Sequence, residues 1–183
     1  MSTASAIPTL EPPPVFMEDV LVSPIRALQE AEHRLAWELN QREVPHVSSE
    51  TLDAFARLCR ISACALAAVE AERPIGFLLG MTPTAAYDSP NFLWFRERYA
   101  DFLYVDRLAV DAAYRRRGLG SGLYAQAEAS ARALGCKLLC CEVNLRPPNP
   151  DSLAFHRRLG FEERGEQEAK GKRVAMLAKR CGP

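Results

Sequence analysis

The sequence predicts a single α/β domain, and three observations support that class. Segments with a helical spacing of apolar residues alternate with short apolar and β-branched runs along most of the chain. The chain has 183 residues, which suits one domain and is long enough to bury a core without disulfides. Hydrophobic residues make up 48% and charged residues 25%, as in an ordinary globular protein. We interpret the polar, proline-rich residues 1–16 as a flexible lead-in and residues 17–183 as the domain.

The charge balance and the cysteines argue against several classes of function. Lys+Arg total 23 and Asp+Glu total 23, and this zero net charge argues against a dedicated binder of nucleic acid or of a membrane surface. No apolar run approaches the roughly 18–20 residues of a transmembrane helix, and the N-terminus lacks the regions of a signal peptide. The six cysteines form no CxxC pair, so we expect no metal site and reduced thiols in the cytoplasm.

Two helices are predicted at the beginning of the chain. Ser23 and Pro24 have the character of an N-cap and a first helical residue, so we expect a helix there with Ile25 on its apolar face. A second helix is expected to follow, capped by Ser48 or Ser49.

A hairpin and a long aromatic connection are predicted next. Residues 63–69 and 75–81 have the composition of strands, and the short polar linker between them favours a β-hairpin. Residues 82–98 form a connection in which prolines interrupt regular structure and aromatic residues are frequent. A connection of this length is typically either functional or a packed cover over the sheet.

Strands and helices also alternate in the second half. Residues 102–110 predict a strand, and after a polar turn a helix is expected to run to Gly135, a residue that suits a helix end. The remaining predicted elements are a buried strand at 137–143, a helix from Asn149 to Gly160, and strands at 161–165 and 173–179.

The clearest chemical signal is the turn at residues 115–121, between a predicted strand and a predicted helix. Free backbone N–H groups and the positive end of the helix dipole favour a phosphate at such a turn. Gly118 and Gly120 allow close backbone approach, and three arginines add charged donors, although a solvated turn is the alternative. A dinucleotide fingerprint fits poorly because Leu123 stands where it needs glycine or alanine, and the Gly-Lys-Ser/Thr of a P-loop is missing.

Two motifs resemble those of the GNAT superfamily of N-acetyltransferases. The Arg-x-x-Gly-x-Gly at 115–120, after the strand 108–110, is similar to the family's acetyl-CoA-binding signature. Residues 149–161, which begin with Asn and end in Leu-Gly-Phe, are similar to its later helical motif. The order and separation of the motifs agree, and the resemblance covers residues 61–179. It implies one GNAT-type domain over 17–183, with a central mixed, twisted sheet flanked by helices on both faces.

The resemblance implies that acetyl-CoA is the cofactor and where it binds. Backbone amides of the turn would hold the pyrophosphate, and the pantetheine arm would pair with the strand before the turn. That strand and the next are expected to splay apart and admit the cofactor. Asn149 matches a position that commonly contacts CoA, and it is also a good N-cap; the two roles are compatible. The implied cofactor-binding residues are Leu108, Ala109, Val110, Arg115, Arg116, Arg117, Gly118, Leu119, Gly120, Ser121, Asn149 and His156.

Three titratable residues are candidates for the chemistry of acyl transfer. Glu142 is the first candidate for the base: it lies in an apolar strand and matches the strand glutamate of ribosomal-protein alanine N-acetyltransferases, with an ion pair to Arg107 or Arg146 as the alternative. Asp106 is the second candidate for the base. Strand alternation points its side chain and that of Arg107 to opposite faces of the sheet, unless the strand has a bulge. His156 stands where many family members have a tyrosine acid. Proton donation to the thiolate, a cofactor contact and an exposed position on the helix all stay open for it.

The implied function is acetyl-CoA-dependent N-acetylation of a primary amine, either a small molecule or a protein N-terminus. No residue has the setting of a covalent nucleophile, so direct transfer is expected. A non-catalytic acyl-CoA-binding module, favoured by the missing tyrosine, and a nucleotide-binding protein are the alternatives. We expect no nucleic-acid, membrane or metal partner, and homodimers are frequent in such families. The predicted substrate-binding residues, for which packing of the long connection is the alternative role, are Tyr87, Asn91, Phe92, Trp94 and Tyr104.

Overall fold

A seven-stranded mixed sheet forms the centre of the structure, a computed structural model that describes residues 23–169 and 171–182. The predicted lead-in at 1–16 and the predicted domain start lie outside the described residues. The strand order is β1-β2-β3-β4-β5-β7-β6, and β4 and β5 are the parallel pair among antiparallel neighbours. The strands are β1 (Ile25–Ala27), β2 (Cys64–Glu70), β3 (Arg73–Met81), β4 (Phe102–Val110), β5 (Leu138–Arg146), β6 (Glu162–Ala169) and β7 (Lys172–Arg180).

Five helices of the described residues cover the sheet on both faces. They are α1 (His33–Arg42), α2 (Leu52–Ile61), α3 (Pro90–Arg96), α4 (Leu119–Ala133) and α5 (Pro150–Arg158), with short 3-10 turns at Glu30–Glu32 and Ala112–Tyr114. Because successive strand residues point to opposite faces, Phe77 packs with the first three helices and Leu78 packs with α4 and α5. This architecture confirms the predicted α/β class and the mixed sheet between two layers of helices. In the described part of the chain, none of the helices combines the length and apolar character needed to cross a membrane.

The first predicted element is wrong. Ile25 does not open a helix but lies on β1, where it pairs with Ala68 of β2. The helix α1 begins at His33, after a turn in which Gln29 and Glu32 form a capping box. The physical reason is that β-branched Ile25 is placed beside a free sheet edge, and strand pairing of this kind depends on residues about 40 positions away, so local spacing does not reveal it.

The long aromatic connection contains a helix that its prolines help to begin. Pro90 occupies the first turn of α3, where a missing N–H costs nothing. Phe92 and Phe95 of that helix are fully buried in the core under the first three helices. Much of the aromatic content of this connection therefore packs onto the sheet. At α2 the cap is Thr51, which accepts a hydrogen bond from a backbone amide, in place of the two serines predicted.

The two parallel strands stay together only where they begin. Residues 102–104 of β4 pair with residues 138–140 of β5, and the ladder then ends although β4 continues to Val110 and β5 to Arg146. The strands separate as the resemblance implies, so their facing edges keep unpaired backbone groups that a ligand can satisfy. This opening positions the site.

Candidate active site

A cleft of about 560 Å³ lies where β4 and β5 separate, and its lining comes from both faces of the sheet. Asp106 and Glu142 line it together with the α1–α2 loop and the start of α3. Tyr124 of α4 and His156 of α5 line it from the other layer of helices. The predicted site residues that the structure brings together at this cleft are Tyr87, Asn91, Asp106, Leu108, Arg115, Arg116, Glu142, Asn149 and His156.

A β-bulge at Asp106 brings two charged neighbours into one cluster. Arg107 pairs with Leu79 and Val105 pairs with Gly80, so Asp106 has no partner on β3 and the strand's alternation is broken there. Asp106 and Arg107 form an ion pair of 2.6 Å, which regular alternation would prevent. The bulge therefore allows the side chains of Asp106 and Arg107 to share one site, which a regular strand would not allow.

The Asp106 carboxylate is held on both oxygens. Its Oδ1 accepts a hydrogen bond from the Tyr87 hydroxyl at 2.5 Å, and its Oδ2 accepts one from Nε of Arg107 at 2.6 Å. Arg107, whose side chain is 4% exposed, also donates to Asn40 at 3.1 Å and to Glu50 at 3.3 Å. With its carboxylate engaged in this way, Asp106 organises one wall of the cleft.

Glu142 has the environment of a base. It is partly exposed, its Oε2 accepts a hydrogen bond from the Tyr104 hydroxyl at 2.7 Å, and its Oε1 accepts one from Nδ2 of Asn91 at 3.0 Å. Asn91 is itself held by Gln167 at 2.9 Å. Burial, followed by the negative charge of Asp106, raises the pKa of Glu142 to about 7, and the two hydrogen bonds oppose this only in part. Among the described residues, neither arginine considered as an ion-pair partner contacts it.

The arginine-glycine turn has the geometry of an anion site. The φ of Arg116 is 60° and that of Gly118 is 80°, both in the left-handed region, where a non-glycine residue carries backbone strain. The helix α4 begins at Leu119 with no side-chain cap, so its first N–H groups are free to face a ligand. All three arginines are exposed; Arg115 and Arg116 line the cleft, and residues 117–121 continue beside it.

The loop between α1 and α2 ties several walls of the cleft together, and we call its residues 43–50 the strap. Glu43 forms an ion pair with Arg115 of the turn. Nδ1 of His46 lies 3.3 Å from Nδ2 of Asn149, whose Oδ1 caps α5. A lysine of β7 also donates to a backbone carbonyl of the strap at 2.8 Å. The strap thus contacts two of the residues that the resemblance assigns to the cofactor.

Because the Glu43 carboxylate pairs with Arg115, removing the charge of Glu43 is expected to make Arg115 available to a phosphate ligand. Glu43→Gln should lower the dissociation constant of CoA by about 2- to 5-fold, since exposed ion pairs are worth up to about 1 kcal/mol. Titration calorimetry at low and high salt measures this, and the gain should shrink at high salt. Glu162→Gln, which removes a carboxylate paired with Arg164 on β6, is the matched control for net charge. A CoA affinity equal to that of Glu162→Gln would contradict the competition.

His156 is buried, with 7% exposure, and does not lie on an open shoulder of α5. Its Nδ1 lies 2.7 Å from the carbonyl oxygen of Ser152, and its Nε2 lies 2.7 Å from the hydroxyl of Tyr124. Burial lowers the pKa of His156, and the bond to Ser152 opposes this only in part. A neutral imidazole is therefore favoured near neutral pH, which weakens the prediction that an imidazolium donates the proton.

Only part of the predicted substrate-binding set reaches the cleft. Tyr87 and Asn91 line it, whereas Tyr104 is fully buried and contributes its hydroxyl to Glu142. Phe92 is fully buried in the core, and Trp94 packs against β6 beside Gly165. Phe92 and Trp94 are therefore corrected from binding residues to packing residues, because the α3 helix turns their rings towards the sheet.

Three residues of the site were not predicted from the sequence. Asn40 is fully buried yet bonds Arg107, and Glu50 completes the shell of that arginine. Asn40 is a polar residue on the buried face of α1, beside Ala36 and Leu39, and this is a usable signal. Tyr124 stands among apolar residues of α4 and carries the one polar tip on its buried face, so its spacing was also informative.

A mixed sheet opened between two parallel strands, with an arginine-glycine turn before the next helix, defines the acetyltransferase class of α/β domain. The profile of the Acetyltransferase (GNAT) family matches residues 27–161. The chain belongs to this family, whose members transfer acetyl groups and use acetyl-CoA as co-substrate. The predicted family is thereby confirmed. No curated protein sequence matches the chain.

Solved structures agree with the fold. Ard1 from Thermoplasma volcanium superposes with a TM-score of 0.72 at 16% identity, covering 89% of this chain and 100% of that one. The ribosomal-protein-S18-alanine N-acetyltransferase from Escherichia coli gives 0.68 at 17% identity, covering 87% and 94%. The yncA protein from Salmonella typhimurium, solved with its cofactor acetyl-CoA, gives 0.64 at 15% identity, again covering 87% and 94%. At these identities the likeness concerns the fold alone.

Proposed function

We propose that the chain is an acetyl-CoA-dependent N-acetyltransferase that moves the acetyl group directly to a primary amine. The observation that carries this proposal is Glu142, a carboxylate that is partly exposed in the cleft and has its pKa raised to about 7. A group with a pKa near the working pH is well suited to accept a proton in the reaction. An attacking amine has to lose a proton, since a free lysine titrates near about 10.4.

The residues present fit an acyl-CoA. The uncapped start of α4 and the left-handed turn before it would hold the pyrophosphate on the backbone amides of residues 116–121, with the exposed arginines adding charged donors. The unpaired edge of β4 at residues 108–110 would pair with the pantetheine arm. Asn149 keeps its Nδ2 on the cleft side while its Oδ1 caps α5. When bound, the thioester supplies an activated acetyl group next to these residues.

The remaining residues of the chain organise the acceptor. Glu142 takes the proton of the amine, and Tyr104 and Asn91 hold its two carboxylate oxygens in place. Asp106 fixes the Tyr87 hydroxyl in the same wall, and burial, reinforced by Asp106, raises the pKa of Tyr87, so that hydroxyl stays a donor. The carboxylates that border this end of the cleft favour the approach of a cationic amine.

The acceptor class is a small-molecule amine or a protein N-terminus. The name of the Escherichia coli neighbour, a ribosomal-protein acetyltransferase, supports including peptides among the acceptors tested. The proposal treats residues 17–183 as the catalytic domain and the protein as cytoplasmic, a setting that fits its six free cysteines.

The test is acetyl-CoA with a panel of alkylamines, amino acids and peptides that carry a free α-amine. Amine-dependent release of free CoA, together with an acetylated product of increased mass, supports the proposal. Binding of acetyl-CoA with no amine-dependent release across the panel would support the non-catalytic module instead. Binding of ATP or NAD that CoA does not displace would support a nucleotide-binding protein.

A pair of glycine variants tests the cofactor site in the same assay. A Cβ at Gly120 would lie 3.2 Å from Cζ of Phe155, on the cleft side of α4. A Cβ at Gly122 would lie 2.9 Å from Cδ1 of Ile25, on the side that faces β1. Gly120→Ala is expected to weaken CoA binding by about tenfold or more. The added Cβ would shift the backbone of the turn, and the loss of one hydrogen bond to the charged pyrophosphate has about this value. Gly122→Ala, a steric control of similar size, should leave CoA affinity nearly unchanged; equal losses would remove the assignment of the turn.

A further inference from the structure

A hydrogen-bonded pair of buried polar side chains on the wall opposite Glu142 has no role in the proposed function. Tyr124 and His156 are 5% and 7% exposed, and their rings meet edge to face with centroids 5.2 Å apart. The Tyr124 ring also packs against Phe155 and Phe161. Both residues line the cleft, so this pair is a built feature of the wall.

The hydrogen bonds identify which member of the pair can donate to a ligand. A carbonyl oxygen only accepts, so Nδ1 of His156, 2.7 Å from the Ser152 oxygen, carries a proton. In the neutral imidazole Nε2 is then an acceptor, and the hydroxyl of Tyr124 at 2.7 Å is its donor. The imidazole has no second N–H to offer, whereas Tyr124 holds a proton that can be redirected.

Tyr124 lines the same cleft as Glu142 and packs in the same buried cluster as Cys141. Burial raises the pKa of Tyr124 well above its usual value, and Cys141 and then Glu142 add to this increase. Cys141 and Glu142 are successive strand residues and point to opposite faces. Tyr124 on one side and Glu142 on the other thus flank the gap in which a thioester would lie.

We propose that the Tyr124 hydroxyl is the hydrogen-bond donor to the departing CoA thiolate and that His156 is the positioning residue that holds it. This inference rests on the proposed function, because it assigns the leaving-group side of the same cleft. Tyr124 lies on α4, so it approaches the sulfur from a different helix than His156.

The step balances without a further reactant. As the amine nitrogen bonds to the acetyl carbon, the carbon–sulfur bond breaks, its electron pair goes to sulfur, and the amine proton goes to Glu142. The Tyr124 O–H turns from Nε2 of His156 to the thiolate and shortens into a charge-assisted hydrogen bond. Its proton stays on oxygen, because the pKa of this phenol is raised whereas a thiol titrates near about 8.5. The sulfur takes its proton from water on release.

A spectroscopic titration tests the donor without any acceptor. Free CoA is bound to the wild-type protein and to Tyr124→Phe, and thiolate absorbance is followed against pH with the unliganded protein as blank. The pKa of the bound CoA thiol should be lower by about 1 to 2 in the wild type than in Tyr124→Phe, because a hydrogen bond to a charged group has about this value. The other titratable groups near the hydroxyl, Glu142, Cys141 and His156, are the same in both proteins. Equal thiol pKa values would overturn the proposal.

A kinetic cycle tests the positioning role of His156. Tyr124→Phe, which keeps the packed ring, should lower kcat by about 10- to 100-fold with little change in the KM for acetyl-CoA. His156→Leu should cost less, and the double variant should match Tyr124→Phe alone, because His156 acts through Tyr124. A larger loss for His156→Leu than for Tyr124→Phe, or losses that multiply in the double variant, would overturn the assignment.

The failures of the two proposals are separable. If wild-type protein binds no CoA or acetylates no amine, the proposed function fails. If it does both and Tyr124→Phe retains full kcat, only the role of Tyr124 fails. Should Tyr124→Phe not fold, His156→Leu retains the phenol, and it should still raise the pKa of the bound CoA thiol above the wild-type value; no change there would count against the pair.

Discussion

Glu142→Gln is expected to lower kcat by about 10²- to 10⁴-fold, the range that a general base contributes. The amide keeps the shape of the side chain beside Tyr104 and Asn91 but cannot accept the amine proton. The dissociation constant of acetyl-CoA should be nearly unchanged, because Glu142 is not among the residues proposed to hold the cofactor. Stopped-flow or steady-state release of CoA, together with calorimetric binding, measures both quantities.

The pH profile of the same variant makes the test specific. Since the pKa of Glu142 is about 7, wild-type kcat/KM should fall as the pH drops below that value, because the carboxyl is then protonated and cannot act as a base. The ratio between wild type and Glu142→Gln should therefore be largest above pH 7 and shrink below it. A ratio that stays constant across this range would remove Glu142 as the base.

Stability provides a second readout of the same pKa. A carboxyl whose pKa is raised on folding binds its proton more tightly in the folded state, so it destabilises the fold progressively as the pH rises from about 4.5 to about 7. Glu142→Gln lacks this penalty. Its free energy of unfolding relative to wild type should increase by up to about 3 kcal/mol between pH 4.5 and pH 8. A variant that loses activity but gains stability at pH 8 separates a functional role from a merely structural one.

Arg107→Met is expected to have the largest effect on stability, about 3–5 kcal/mol in the free energy of unfolding. Arg107 is nearly inaccessible to water and bonds Asp106, Asn40 and Glu50. Its removal leaves the Asp106 carboxylate buried with its charge uncompensated, and this penalty exceeds the worth of the pair itself. Denaturant unfolding at neutral pH measures the loss.

Two further variants control this prediction. Arg164→Met breaks an ion pair with Glu162 in which both side chains are more exposed, and it should cost about 0–1 kcal/mol. Asp106→Asn combined with Arg107→Met removes both charges and should recover part of the loss. If Arg107→Met is as mild as Arg164→Met, the buried network does not hold the wall of the cleft together.

Patterns among neighbouring residues made much of the fold predictable, together with the arginine-glycine turn, the Asn149 cap and Glu142 of the site. The strand at 102–110 was predicted with its observed bounds, because its aromatic and β-branched residues carry the signal locally. The arginine-glycine turn and the Asn149 cap were readable for the same reason, since caps and left-handed turns depend on adjacent residues. Glu142 was found because a carboxylate in an apolar strand needs an explanation.

Features that depend on distant residues were missed or left open. Ile25 became a strand only because Ala68 offers it a sheet edge. The bulge at Asp106 depends on the register of β4 against β3, so the sequence left open whether Asp106 and Arg107 share a site. Phe92 and Trp94 were predicted to bind the acceptor. Their packing partners lie on other elements, so the local sequence does not reveal that these rings pack against the sheet.

By itself the sequence determined the class of the domain, the arginine-glycine turn and a short list of titratable residues, because each of these is encoded by neighbours along the chain. The tertiary structure decided which of those residues lie together. It raised the pKa of Glu142 by burying it near Asp106 and lowered the pKa of His156 by burial. It also brought the Tyr124 hydroxyl of one helix to Nε2 of His156 on another. Desolvation and hydrogen bonding between residues far apart in the chain set the protonation of the site, and neither exists until the chain has folded.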